Sequence, residues 1–349
     1  MIGVAARLIR GCTCRVMVVA FAVASAFVTN AFASHPGSAS VQGPSTSNGK
    51  SSRRRPAVTS HPLRVQHHIA GHKRRRLRHT RHTAHHSTAG PRLLARCGYD
   101  RHAAHRLHSD SLYVVDVRTG KALLARRADK VRPIASISKL MTAVVARKTH
   151  RPLDGVLQVT ASDRDMIKFT GSRLSVGSRL SRRDMYHVAL MSSENRAAAA
   201  LSRDFPGGRP AFVAAMNDEA RTLQMRRTQF RDPTGLSPHN VSTATDLARL
   251  VAVAARDPLI HRFTTDRTYV AHPGYGELRY VNSNPVVRFD NWPIVLQKTG
   301  FVNEAGHCVV IHVLVHGRPE TIVLLGAPTR QEMVLDASLI HHWLTCSLT

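Results

Sequence analysis

Charge is spread so unevenly along this chain that only one part of it can build a compact fold. Residues 34–109 hold 15 Lys and Arg against a single acid, Asp100, for a net +14. Residues 110–349 hold 32 against 21, for +11. The first of these segments also takes 12 of the 22 His. Apolar residues make up 43% of the 349-residue chain and cluster before residue 34 and after residue 110. The last 240 residues suffice for one sizeable core, since single domains extend to about 250 residues. A uniformly disordered chain and a multi-pass membrane protein are excluded. The excess charge, +28 overall, belongs to a segment and not to the fold.

The N-terminus reads as an export signal. Arg7, Arg10 and Arg15 precede an apolar run from Val16 to Val28, and Ala31-Phe32-Ala33 places small residues before Ser34. That is a basic region, a short apolar region and a cleavage site. An uncleaved anchor is the rival reading, although a membrane-spanning helix needs about 20 apolar residues. Cleavage leaves Cys97, Cys308 and Cys346 in a disulfide-permissive compartment. A bridge between Cys308 and Cys346 is conceivable, but inert thiols are the favoured expectation. Residues 34–109 lack the apolar content to offset ordering entropy, which predicts a disordered basic linker. After export its polyanionic partners would be anionic lipid heads or acidic wall polymers rather than nucleic acid. Its His clusters lack acid or Cys partners at ligand spacing, so no metal site and no cofactor is expected.

The remaining chain, 110–349, predicts an α+β domain. Leu112 to Val117 and Ala122 to Arg126 read as a hairpin, and a helical pattern runs from Ser136 to about Arg147. Further helical segments fall near 181–191, 195–203, 209–224 and 243–256. Strand-like runs at 293–299, 306–316 and 320–327 precede a last helix at about 329–345. Early and late strands in one sheet, with helices between them, fit that class.

Three short patterns carry chemistry. Ser136-Ile137-Ser138-Lys139 puts a hydroxyl and an amine on one helical face, one turn apart. A serine needs a base, and a lysine can be that base only when its neutral form is favoured. Ser193-Glu194-Asn195 offers a hydroxyl and an amide ahead of a helix, where an ordinary N-cap is the bland alternative. Lys298-Thr299-Gly300 ends a strand with a cation, a hydroxyl and a residue that admits a close backbone approach. Each pattern alone is weak. In this order, separated by 57 and then 105 residues on helix, loop and strand, they match the motif set of penicillin-binding proteins and serine β-lactamases.

Longer stretches narrow the match. Arg132 to Ser136, Met191 to Ala198, Asp232 to Ser237, His239 to Ala244, Lys298 to Phe301 and Ala305 to Cys308 resemble the D-alanyl-D-alanine endopeptidases, low-molecular-mass penicillin-binding proteins of the periplasm. The resemblance spans about residues 110–345 and excludes the basic segment. It implies a β-lactamase/transpeptidase-like fold: an antiparallel sheet of about five strands flanked by helices, with a mainly helical subdomain. It also implies that Ser136 is the acylated nucleophile, Lys139 its proton acceptor and Ser193 a relay towards Lys298. Asn195, Lys298, Thr299, Gly300 and Phe301 would bind substrate, with the N–H groups of Ser136 and Phe301 as oxyanion hole. The implied substrate is the peptidoglycan stem peptide, and β-lactams would be covalent inhibitors.

Within that superfamily a class A β-lactamase is disfavoured. It needs a Glu followed by Asn at the third place, whereas Glu219 and Glu277 are followed there by Thr222 and Tyr280. Only 49 residues follow Gly300, which favours the endopeptidase type over the carboxypeptidases with their extra C-terminal domain. D-alanyl-D-alanine carboxypeptidase activity stays open as the alternative, since one site can cut either bond. A binding protein without turnover is the competing class, and the complete set Ser136, Lys139, Ser193 and Lys298 speaks against it.

Overall fold

The computed structural model describes residues 92–100 and 102–349. The export signal expected over residues 1–33 and the basic linker expected as far as residue 91 lie outside the described residues. A short helix α1 (Ala103–Arg106) precedes a hairpin of β1 (Ser111–Asp116) and β2 (Ala122–Arg126). The two-residue strand β3 (Arg132–Pro133) leads to α2 (Ser138–Arg147). Strands β4 (Val156–Gln158) and β5 (Arg179–Ser181) pair across a long loop. Three helices follow: α3 (Arg182–Met191), α4 (Asn195–Arg203) and α5 (Gly208–Thr222). Strand β6 (Val241–Ser242) pairs with β3 and opens on α6 (Ala244–Ala254) and α7 (Pro258–Thr265). A second hairpin, β7 (Thr268–Ala271) and β8 (Leu278–Val281), and a short helix α8 (Pro285–Phe289) come next. The chain closes with β9 (Ile294–Val302), β10 (Gly306–Val315), β11 (Arg318–Ala327) and α9 (Arg330–Ser347).

The main sheet is antiparallel, five-stranded and ordered β2-β1-β11-β10-β9, so the N-terminal hairpin joins the late meander as the sequence predicts. Helices cover both faces, and the long strands are therefore apolar on both sides. Val323 and Leu325 of β11 join the core with α2, α3, α4 and α6. Ile322 and Leu324, one residue out of phase, pack with Ile340, Trp343 and Leu344 of α9. The turn from β10 to β11 places His316 (φ 49°) and Gly317 (φ 75°) in the left-handed region, which matches strand twist in a tight hairpin. Capping boxes start α3 (Ser181 with Asp184) and α9 (Thr329 with Glu332) where the hydrophobic periodicity begins.

Two expectations need correction. The described fold includes residues well before 110: Leu93, Ala103 and Leu107 are buried against the α9 side of the sheet, and Cys97 is buried and bonded to α9. Their spacing hides among Arg and His, so composition alone misses four apolar anchors. The cysteines also pair differently, with Cys97 bonded to Cys346 on α9 while Cys308 stays a free, buried thiol. Cys308 sits inside the sheet on β10, and the segment misread as linker brings Cys97 to the other face.

Candidate active site

Ser136 stands on a short 3-10 turn, Ala135–Ile137, that feeds directly into α2. Helix α2 proper thus starts at Ser138, two residues later than the sequence pattern suggests. Ala135 has φ 48°, a conformation that costs a non-glycine residue about 1 kcal/mol. Its surroundings hold it there. Ser138 Oγ donates to the Ala135 carbonyl (2.8 Å), Asn240 Nδ2 donates to Ser138 Oγ (2.9 Å), and the Ile134 N–H donates to the Asn240 carbonyl (3.0 Å).

One turn along α2, Lys139 is buried and its Nζ spends all three N–H directions. It donates to Ser136 Oγ at 2.8 Å, Asn195 Oδ1 at 2.7 Å and the Thr234 carbonyl at 2.7 Å. Burial pushes its amine down to about 7, against the opposing pull of the Asp232, Glu194 and Asp165 carboxylates. Both protonation states are therefore populated near neutrality, and the neutral amine can take the Ser136 proton.

The Thr234 carbonyl is placed by a tight turn that sequence reasoning left without a role. Asp232, itself buried, accepts from the N–H groups of Thr234 (2.6 Å), Gly235 (2.8 Å) and Ser237 (2.9 Å). Asn240 ties this turn to α2, donating to the Asp232 carbonyl (2.8 Å) as well as to Ser138 Oγ. The signal was present in Asp232-Pro233-Thr234-Gly235, where a short carboxylate precedes residues whose N–H groups it can accept.

Ser193 has φ 66° and sits on the bend between α3 and α4. Glu194 caps α4: its Oε1 accepts from Ser172 Oγ (2.5 Å) and from the Arg196 N–H (3.3 Å). Asn195 turns its Oδ1 to Lys139 and its Nδ2 to Thr170 Oγ1 (3.2 Å). Ser193 makes no side-chain hydrogen bond to Lys139 or Lys298 among the described residues, so the amine contact implied for the serine is made here by the asparagine.

β9 is the free edge of the sheet and passes the 3-10 turn. A Cβ on Gly300 would lie 2.9 Å from Ser136 N and 3.0 Å from the Ile134 carbonyl, which is why a glycine is needed there. Lys298 is buried with Nζ donating to the Thr299 carbonyl (2.9 Å). Burial, with the Lys139 charge nearby, holds its amine well below the ordinary lysine range. Thr299 Oγ1 shares a 2.6 Å hydrogen bond with Ser283 Oγ, whose own N–H donates to the Met191 carbonyl (2.9 Å). Ser283 thus ties β9 to the end of α3, a link that no local pattern announced.

Ser136, Ser193, Asn195, Thr299, Gly300 and Phe301 line one cleft of about 470 Å³, with Lys139 and Lys298 buried behind its wall. Phe301 is half exposed and stacks on His307, ring centroids 4.3 Å apart. Lys168 pairs with Glu304 and bridges the β4–β5 loop to the β9–β10 turn. All eight residues singled out from sequence therefore meet around one space.

The sequence pattern of the peptidase family described as D-alanyl-D-alanine carboxypeptidase matches residues 99–329. The chain is similar to the D-alanyl-D-alanine endopeptidase of Pseudomonas aeruginosa, 47% identical over 68% of this chain and 77% of that protein. To the D-alanyl-D-alanine endopeptidase of Escherichia coli it is 45% identical, again over 68% of this chain and 77% of the relative. In fold it is similar to the Streptomyces K15 DD-transpeptidase, with a TM-score of 0.64 at 22% identity, covering 69% of this chain and 98% of that one.

Proposed function

This chain belongs to the peptidase S11 family, the D-alanyl-D-alanine carboxypeptidases, and on that premise we propose that it is a serine D,D-endopeptidase cutting D-alanyl–diaminopimelyl cross-links in peptidoglycan. The observation that carries the reading is the 2.8 Å contact between Lys139 Nζ and Ser136 Oγ, with the amine held near neutral pH. Ser136 Oγ attacks the D-alanyl carbonyl as its proton passes to Lys139 Nζ. The oxyanion that forms is met by the N–H groups of Ser136 and Phe301, and the closeness of Gly300 to Ser136 N supports that pairing. The C–N bond breaks, the leaving amine takes the proton from Lys139, and water hydrolyses the acyl-serine. Asn195, which holds Lys139 from the other side, orients the base and offers its amide to the substrate. Ser193 lines the same cleft, from which it would pass a proton to the leaving amine once substrate lies beside it. Lys298, an amine behind the cleft wall, and the Thr299 hydroxyl hold the substrate along β9. A β-lactam is cleaved by the same attack and remains on Ser136 because its acyl-enzyme hydrolyses slowly.

The endopeptidase reading is favoured over the carboxypeptidase one by similarity. Two relatives named endopeptidases match at 47% and 45% identity, whereas the Escherichia coli carboxypeptidase relative matches at 27% and is covered over 63% of its length. An oxidising periplasmic setting agrees with the Cys97–Cys346 disulfide and with the leader-like N-terminus. There the basic segment would draw the enzyme towards anionic lipid or wall polymer. Digestion of purified cross-linked sacculi followed by muropeptide analysis tests the activity. Loss of dimers with gain of monomers is the expected result, and release of terminal D-alanine alone would turn the reading to the carboxypeptidase.

A further inference from the structure

A second groove of about 590 Å³ opens from the catalytic cleft, and the two share Ser192, Ser193, Asn195, Ser283 and Arg330 as lining. Beyond that shared wall the groove is edged by Arg173 and Arg288 and floored by Tyr280. Elsewhere in the domain acids gather arginines: Asp163 takes Arg203 and Arg209, and Asp204 takes Arg151 and Arg182. The groove differs. Among the described residues neither Arg173, Arg288 nor Arg330 has a carboxylate partner, and the Glu194 carboxylate beside them is occupied by Ser172 Oγ and the Arg196 N–H. Two buried polar atoms on its wall, Tyr280 Oη and Arg288 Nε, also lack hydrogen-bond partners among the described residues, and Tyr280 is only 2% exposed. Arg173, though exposed, lies over the Tyr280 ring at 4.8 Å and donates to the Arg279 carbonyl, so its guanidinium is held at the edge of the groove.

From this juxtaposition we infer that the groove is a subsite for the free carboxylates of the second stem peptide in a cross-linked substrate. Arg173 and Arg288 are the residues that distinguish a dimer from a single stem. The inference rests on the endopeptidase reading and deepens it. A guanidinium fork recognises a carboxylate in two hydrogen bonds, and unpaired cations beside an apolar ring form a site for an acidic peptide, not for a neutral one. The cross-linked substrate supplies such an occupant because each stem carries carboxylates away from the scissile bond. A small β-lactam bound at Ser136 has no comparable reach into the groove.

The test uses the whole protein with Arg173→Gln and Arg288→Gln together, and with both changed to Lys. Rates are read on a purified cross-linked muropeptide dimer, on the same dimer with its carboxylates amidated, and by acylation with labelled penicillin. The expected result is a drop of about tenfold in the ratio of dimer kcat/KM to penicillin acylation for the Gln pair. Amidation of the dimer should produce the same drop in the natural enzyme and no further drop in the Gln pair, and the Lys pair should recover part of the loss. An unchanged ratio in the Gln pair, or an amidation penalty that persists in it, would overturn the subsite while leaving the endopeptidase reading intact. Failure of the natural enzyme to cut the dimer while still acylated by penicillin would overturn that reading, and the subsite with it.

Discussion

Gly235 and Ala135 come so close that a Cβ on the glycine would lie 2.0 Å from the alanine carbonyl oxygen and 2.8 Å from Ser136 N. The atoms in the way are backbone, and Gly235 also has φ 82°, so an alanine there has neither space nor a relaxed conformation. Gly235→Ala must push the 232–237 turn off the residue that presents the nucleophile. A shift of about 1 Å at a reacting group can cost about a hundredfold. We expect penicillin acylation to fall by about that factor, with a clear decrease in Tm. Stopped-flow labelling and a thermal melt of the same sample check both, and acylation at the natural rate would show that the turn yields without moving Ser136.

The second prediction concerns pH. Burial lowers the Lys139 amine from 10.5 to about 7, and only the neutral amine can accept the Ser136 proton. The penicillin acylation rate should therefore rise about tenfold per pH unit below 7 and level off above it. The same shift has a sign for stability. Between about 7 and 10.5 the folded amine binds fewer protons than the unfolded one, so its contribution to stability grows as pH rises through that window. An acylation profile flat from pH 5.5 to 8.5 would remove Lys139 as the base.

The disulfide gives a third. Cys97–Cys346 closes a loop with a sequence separation of 249 and pins the first folded segment to α9, where Tyr99 meets the Trp343 ring edge-on at 5.5 Å. Both lie on the face of the sheet away from α2, and none of these residues lines the catalytic cleft. Cys346→Ser should cost about 2–4 kcal/mol, or roughly 5–15 °C in Tm for a domain of this size. Penicillin acylation at 25 °C should stay within about twofold, because the change acts on the unfolded chain more than on the site. Loss of acylation in folded protein would mean that α9 transmits strain to Arg330 and the cleft.

Much of this was legible in the sequence, for definite reasons. The helices α3, α6 and α9 begin at Ser181, Thr243 and Thr329, each a side chain that caps the helix it precedes. The sheet was readable because β10 and β11 each carry a dense apolar run, Cys308 to Ile311 and Ile322 to Leu325. Helix α7 was missed although Asp257 caps it and Pro258 starts it, because only eight residues follow and its periodicity is short. The hairpin β7–β8 was missed because its strands of four residues are half exposed. In the site, the motif residues announced themselves, but Thr234 acts through its backbone carbonyl and Ser283 through a tertiary contact with Thr299. Neither kind of role leaves a pattern in a single chain. The disulfide escaped for a related reason, since its first cysteine lay in a segment judged by charge.

The last prediction follows from the buried residues that precede residue 110. Residues 34–91 carry 11 Lys and Arg and no acid, while residues 92–109 contain Cys97 and the buried Leu93, Ala103 and Leu107. A truncated protein that starts near residue 110 would lose the disulfide and uncover part of α9, confusing charge with stability. One that starts at Arg92 removes the basic segment and keeps every described residue. A cationic chain attracts polyanions with little specificity, and that attraction is screened within about 10 Å at 0.1 M salt. The protein starting at Arg92 should therefore acylate with penicillin at the natural rate and pellet less with intact sacculi or anionic vesicles at low salt. The gap between the two proteins should close as salt rises towards about 0.5 M. Co-sedimentation across a salt series decides it, and equal pelleting at every ionic strength would make the basic segment a passive spacer.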